Sequence, residues 1–221
     1  MLDEEFSRTE FKELFDAIME GNREKGKFIA NALVEQQINL KDALLEGVMR
    51  TVVRLGNMLS SKNPEDVKKW SECLITIYDV LNIFNKNIKP SEKPVGKIIL
   101  ACLKGEGHAI VKDILAPAFR AEGFEVYNFR SPATPQQIME KIKETKADIL
   151  AISASMRTMI DEIKNLDQAL KTAGLREKIK ILVGGWLVRR TFFEELKPDL
   201  DAWAKDASEG VEIAKSLAQQ A

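Results

Sequence analysis

The chain holds little of what usually marks a metal or catalytic centre. Its 221 residues include one histidine, His108, and two cysteines, Cys73 and Cys102. One imidazole is too few for a zinc site, which takes three or four protein ligands. Two cysteines make no disulfide framework, so a reducing, cytoplasmic compartment is expected. No apolar run approaches the roughly 20 residues that cross a bilayer, which argues against a membrane partner. The opening stretch, MLDEEFSRTEF, is acidic and polar, unlike a secretion signal. Charge of one sign is also missing. Thirty-three basic residues against 34 acidic ones leave a net −1, so nothing draws the chain to nucleic acid. No Walker loop, nucleophile elbow or paired-carboxylate arrangement stands out.

What is present divides near residue 90. Forty-five per cent apolar residues are enough for a real core, and 30% charged residues solvate the surface. Residues 1–88 hold a single proline, Pro64. Apolar residues recur there at three- and four-residue spacing. The stripes are Phe11, Leu14, Phe15 and Ile18; Phe28, Ile29, Ala32 and Leu33; Leu44, Leu45, Val48, Val52 and Leu55; Trp70, Leu74, Ile77, Val80 and Leu81. Ser7 with Glu10 predicts a capping box, and Asn63 before Pro64 predicts a helix start. Four helices with short connections predict a four-helix bundle. Residues 89–95, with two prolines and no periodicity, read as a linker.

Residues 96–221 change pattern. KIILACL, FEVYNF, DILAIS, KILVGG and the weaker LDAWAKD read as strands. Helical stretches are expected at 108–122, 134–145, 159–173, 188–197 and 207–219, with Thr134, Pro135 and Gln137 marking the second start. Apolar runs without alternation fit strands covered on both faces. Alternating strand and helix predicts a five-stranded parallel sheet with helices on both sides. The fold class is thus α + α/β. In such a sheet ligands sit beyond the carboxyl ends of the strands. Those ends fall at Lys104–His108, Ser153–Thr158, Gly184–Trp186 and Lys205–Ala207.

His108 therefore stands at the binding edge. Glu106 shares its loop and supplies a carboxylate able to fix a histidine tautomer. Gly105 and Gly107 free the backbone to turn. Gly184 and Gly185 remove two side chains at a strand end. A metal already held by a macrocycle needs only one axial ligand from the protein, and a lone histidine bordered by glycine gaps suits that case.

The loop KGEGHAIVK, residues 104–112, resembles the Asp-x-His-x-x-Gly loop of cobalamin-binding domains. Ser153-Ala154-Ser155 sits where that family has Ser-x-Leu, and Val183-Gly184-Gly185 where it has Gly-Gly. DAWAKDASEGVEIAKSL at 201–217 and DAIMEGNREKGKFIANALVEQQINLKDALLEGV in the helical half are similar to the corrinoid proteins of methyltransferase systems. The resemblance covers nearly the whole chain. It implies a helical cap domain and a flavodoxin- or Rossmann-like domain that binds cobalamin, and with it cobalt. His108 would be the lower axial cobalt ligand in a base-off/His-on mode, with Glu106 as its hydrogen-bond partner. Ser153 would hydrogen-bond in the pocket for the nucleotide tail, and Gly184 and Gly185 would make room for it. Ala109, Ile110, Val111, Ser155, Thr158, Trp186, Asp206 and Ala207 complete the implied cofactor contacts. The helical half would cover the reactive face of the corrin. Members of the family carry a methyl group from one methyltransferase to another, as carrier subunits without catalytic residues.

The chain departs from the pattern in the cap, where the stretch between Gly56 and Pro64-Glu65 is shorter than the family's acidic segment, and at four residues of the α/β half. Glu106 replaces aspartate, Val111 replaces the loop glycine, Ser155 replaces leucine, and Trp186 follows the glycines where a small residue is usual. These changes keep a second reading open, a cobalamin or heme sensor without methyl transfer. An enzyme with an ordinary flavodoxin-like site ranks last.

Overall fold

Strands form where both faces can be buried. In the computed structural model, which describes residues 5–58, 63–106, 109–189 and 191–219, five strands make one sheet, the three central ones buried on both faces. They are β1 (Lys97–Ala101), β2 (Glu125–Asn128), β3 (Ile149–Ser153), β4 (Lys180–Gly184) and β5 (Ala202–Ala204). Every pairing is parallel and the order is β2-β1-β3-β4-β5. The chain divides into two compact units, Met1–Lys89 and Pro90–Ala221.

In the helical unit the elements are α1 (Thr9–Met19), α2 (Arg23–Glu35), α3 (Leu40–Asp42), a π-helical stretch (Ala43–Met49), α4 (Arg50–Met58) and α5 (Pro64–Asn87). α3, the π stretch and α4 run on without a break. Gly47 in the π stretch lies against α1, where a Cβ would sit 2.9 Å from Leu14 Cδ2. The expected start of α5 is found: the Asn63 side chain accepts from Glu65 N, and Pro64 takes the first helical position.

Two expectations for this unit fail for physical reasons. Ser7 and Glu10 form no capping box. Arg8 is the N-cap of α1 without a side-chain cap, and Ser7 instead donates its N–H and hydroxyl to the Glu46 carboxylate at 2.9 and 2.7 Å. A charge-assisted pair outweighs a neutral local cap. Phe28 is 74% exposed, and α2 buries Gly26, Ile29, Ala30 and Leu33. The seam with α5 runs through Gly26, where a Cβ would meet Thr76 Cγ2 at 2.9 Å, so Phe28 turns outward.

In the α/β unit the helices are α6 (Ile110–Ala121), α7 (Pro135–Thr145), α8 (Met159–Thr172) and α9 (Ala207–Ala218). α7 opens with the expected capping box of Thr134 and Gln137. The sheet buries Ile99, Ala101, Leu150, Ile152, Ile181 and Val183 in one core, which α7 and α8 join through Ile138, Ile142, Ile163 and Leu166. Ile98, Leu100, Ile149 and Leu182 enter the opposite core with Phe119 of α6 and Val211 of α9. Alternate residues of the same strands feed the two cores, which is why the strand runs are apolar without a break.

The helix expected at 188–197 is replaced by three 3-10 turns, Trp186–Arg189, Thr191–Glu195 and Lys197–Asp199. Leu187, Phe193 and Leu196 are buried there, a spacing that offers no continuous α-helical stripe.

Candidate functional site

The order β2-β1-β3-β4-β5 places a topological switch between β1 and β3, where the connections leave in opposite directions. A crevice opens there at the carboxyl ends of the strands. The chain bridges that crevice with one carboxylate. Glu106, in the loop after β1, is 2% exposed. Its Oε2 accepts from Ser155 N at 2.7 Å and from Ser155 Oγ at 2.6 Å, across 49 residues of sequence. A buried carboxylate is costly without strong donors, and this pair supplies two. Sequence reasoning placed Ser155 in the tail pocket and missed its bond to Glu106. No local signal links residues so far apart.

Gly107 and His108, the centre of the sequence reading, lie outside the described residues. Their flanks are placed. Gly105 adopts φ +95°, a conformation that favours glycine. Glu106 N closes a turn on Leu103 O at 3.1 Å. Ala109 is the N-cap of α6 and makes no side-chain cap; Ile110 is buried and Val111 half-buried in the first turn.

The two glycines after β4 serve different purposes. Gly185 has φ +108°, and a Cβ there would lie 2.4 Å from Ala154 O. Backbone conformation and close approach both demand glycine. At Gly184 the nearest atom to a built Cβ is Ala204 O at 3.9 Å, so its missing side chain leaves space. Ser153 is in register with Gly184, and Gly184 with Ala204. These residues therefore form one line across the sheet. Burial pushes the Cys102 thiol, one residue beyond β1, up to about 11. Cys102 stays protonated at ordinary pH and is fully buried just past the strand.

The remaining sequence candidates lie on the rim. Thr158 is exposed at the start of α8 and caps nothing with its side chain. Trp186 is 58% exposed, and Met156 is 37% exposed after β3. Asp206 caps α9 by accepting from Glu209 N at 2.9 Å, and Ala207 begins that helix. Asp206 thus has a structural task of its own. The rim joins exposed apolar groups to a buried carboxylate and a gap at Gly184.

Among the described residues no group of three or more His, Cys, Asp or Glu side chains is arranged to hold a bare metal ion. No described helix is long and apolar enough to cross a membrane. A metal-bearing cofactor would have to bring most of its own ligands. The Gly184 space and the fixed Glu106 loop fit such a group.

Fold and edge together define an open parallel α/β domain with a crevice at its β1/β3 switch, where sheets of this kind take their ligands. The B12 binding domain family matches residues 96–212, and the chain belongs to that family. Relatives extend beyond the domain. A corrinoid protein of Desulfitobacterium hafniense (strain Y51) is 27% identical, over 93% of this chain and 95% of its own length. Dimethylamine corrinoid protein 3 of Methanosarcina acetivorans is 34% identical over 58% of this chain, and the match spans 59% of that relative. Among solved structures, the monomethylamine corrinoid protein of Methanosarcina barkeri aligns with a TM-score of 0.74, covering 94% of this chain and 98% of the other at 20% identity. The methanol:cobalamin methyltransferase complex of the same organism aligns with a TM-score of 0.52 over 97% of this chain and 81% of its own, at 21% identity. These structures bear out the expected fold class, a helical region followed by a five-stranded parallel sheet.

Proposed function

We infer that this chain is a corrinoid protein that carries a methyl group between methyltransferases. The buried Glu106–Ser155 bridge at the mouth of the β1/β3 crevice carries this reading, because it fixes one end of the loop that bears the only histidine. Family membership and the corrinoid names of the relatives support it.

In this reading His108 is the lower axial ligand and Glu106 holds its loop. The Gly184 gap and Ser153 receive the nucleotide tail. When bound, the cofactor supplies a cobalt centre that takes up and releases a methyl group. The chain's own part is to hold the ring, orient the imidazole and exclude water. Its partners are corrinoid-dependent methyltransferases. It supplies no catalytic side chain of its own, and it works in the cytoplasm. The proteins it resembles bear corrinoid names, which favours this reading over a heme sensor.

The test is direct. Purified chain is mixed with hydroxocobalamin or with heme, desalted, and its visible spectrum recorded beside His108→Ala. Retained cobalamin with a spectrum that shifts in the variant supports the reading. Loss of cobalamin on desalting, or retention of heme alone, overturns it. Chemically reduced cofactor with a methyl donor then checks the carrier role.

A further inference from the structure

Lys112 is 2% exposed, although lysine is among the residues least often buried. Its Nζ donates to Asp113 Oδ1 at 2.8 Å, Asn128 Oδ1 at 2.8 Å and Phe129 O at 2.6 Å. Asn128 Nδ2 in turn donates to Asp113 Oδ1 at 3.1 Å. All three ammonium donors are therefore used, and they join the first turn of α6 to the carboxyl end of β2.

That first turn is weakly held by its own helix. Its N-cap, Ala109, offers no side-chain acceptor. Pro117 lies inside α6 and has no N–H to give the Asp113 carbonyl. The buried network replaces what the helix start lacks. It also answers the Glu106–Ser155 bridge on the other side. β1 lies between β2 and β3, so the loop after β1 is held toward β3 by Glu106 and toward β2 by Lys112.

We propose that Lys112 is a positioning residue for the axial histidine: with Asn128 and Asp113 it fixes the downstream end of the loop that bears His108. The proposal rests on the corrinoid reading above. It differs from plain packing because an apolar side chain of similar length would fill the space without the costly burial of a charge. Outer groups that orient a metal ligand change ligation when they are removed, even if they never touch the metal.

The test uses the full chain loaded with hydroxocobalamin and reduced to the paramagnetic Co(II) state. Electron paramagnetic resonance reads the nitrogen splitting of an axial imidazole. The parent is expected to show it. Lys112→Met keeps the length and removes the donors; Asn128→Leu removes one acceptor and leaves the lysine. Each variant is expected to keep the parent far-UV circular dichroism and to retain corrinoid. In each, the ratio of nitrogen-ligated to unligated cofactor should fall about tenfold. The double variant should fall no further than the worse single one, because both changes break the same network.

Parent-like splitting in both single variants would overturn the role of Lys112 while leaving the corrinoid reading intact. An additive double variant would overturn it too. If Lys112→Met fails to fold, Asn128→Leu decides; failure of both reduces the network to packing and rejects the proposal. A parent that loses the cofactor or shows no nitrogen splitting rejects the corrinoid reading itself, before any variant is made.

Discussion

The two ends of the sheet use similar chemistry to opposite purposes. At the amino end, polar groups satisfy one another. Asp148 Oδ2 accepts from Lys97 N at 2.7 Å, and Asp201 Oδ2 from Ile181 N at 2.8 Å, so two carboxylates cap strand starts. Arg176 donates to Asp167 Oδ1 at 2.7 Å and to the carbonyls of Ile179 and Asp199, and forms an ion pair with Asp201 Oδ2 at 2.8 Å. Asp167 is 3% exposed. At the carboxyl end Glu106 is as buried, yet around it stand a glycine gap and the exposed side chains of Trp186 and Met156. Closed networks mark where the fold is locked. A buried charge set beside an open rim marks where something is to be bound.

A series of variants breaks or sharpens that contrast. The largest effect belongs to the amino end. Arg176→Ala leaves the buried Asp167 and the half-buried Asp201 carboxylates without their shared cation and should cost about 3–5 kcal/mol in a denaturant melt. Corrinoid retained by material that still folds should show the parent spectrum. A spectral change would join the two ends and break the comparison.

The glycine pair comes next. Gly185→Ala combines a φ of +108° with an approach of 2.4 Å to Ala154 O, so it should cost about 3 kcal/mol. Gly184→Ala meets nothing closer than 3.9 Å and should leave apo stability within about 1 kcal/mol. It should nonetheless weaken cobalamin retention on desalting. Equal retention would show that the Gly184 space is not the tail site.

Trp186→Ala is smaller still. The side chain is 58% exposed, so the apo melt should move by about 0.5 kcal/mol or less. In a variant that keeps Trp186 as its sole tryptophan, Trp70→Phe with Trp203→Phe, bound cobalamin should quench the remaining fluorescence; unquenched emission would place the indole away from the cofactor.

The least effect lies between the ends, on β2. Tyr127 donates to Glu125, and that hydrogen bond pushes the phenol up to about 12 from 10.0. The folded value is the raised one. Its contribution to stability is therefore complete below pH 10 and is lost as pH rises toward 12. Ultraviolet titration should show a late phenolate step that Tyr127→Phe removes.

Several of these features were open to reading from the chain alone. The strand runs of the α/β unit are apolar because two cores draw on alternate residues. The Asn63-Pro64 and Thr134-Pro135 starts act within one helical turn. Such signals are local, so spacing reveals them. Phe28 misled because a helical stripe gives a face only to within a residue or so, and Gly26 decided where α5 would press. Lys112 in an amphipathic helix reads as solvent-facing; only the return of β2 beside α6 supplies Asn128 and the Phe129 carbonyl. Ser155 reads as a pocket residue; only the pairing of β3 beside β1 brings it to Glu106.

By itself the sequence determined the helical half, the order of the five strands and the parallel sheet. These follow from hydrophobic period and cap chemistry, which act over a few residues. Tertiary structure alone decided which polar groups meet: Glu106 with Ser155, Lys112 with Asn128, and Arg176 with Asp201. A buried charge takes its partners from whichever elements the fold carries alongside, and separation along the chain does not constrain that choice.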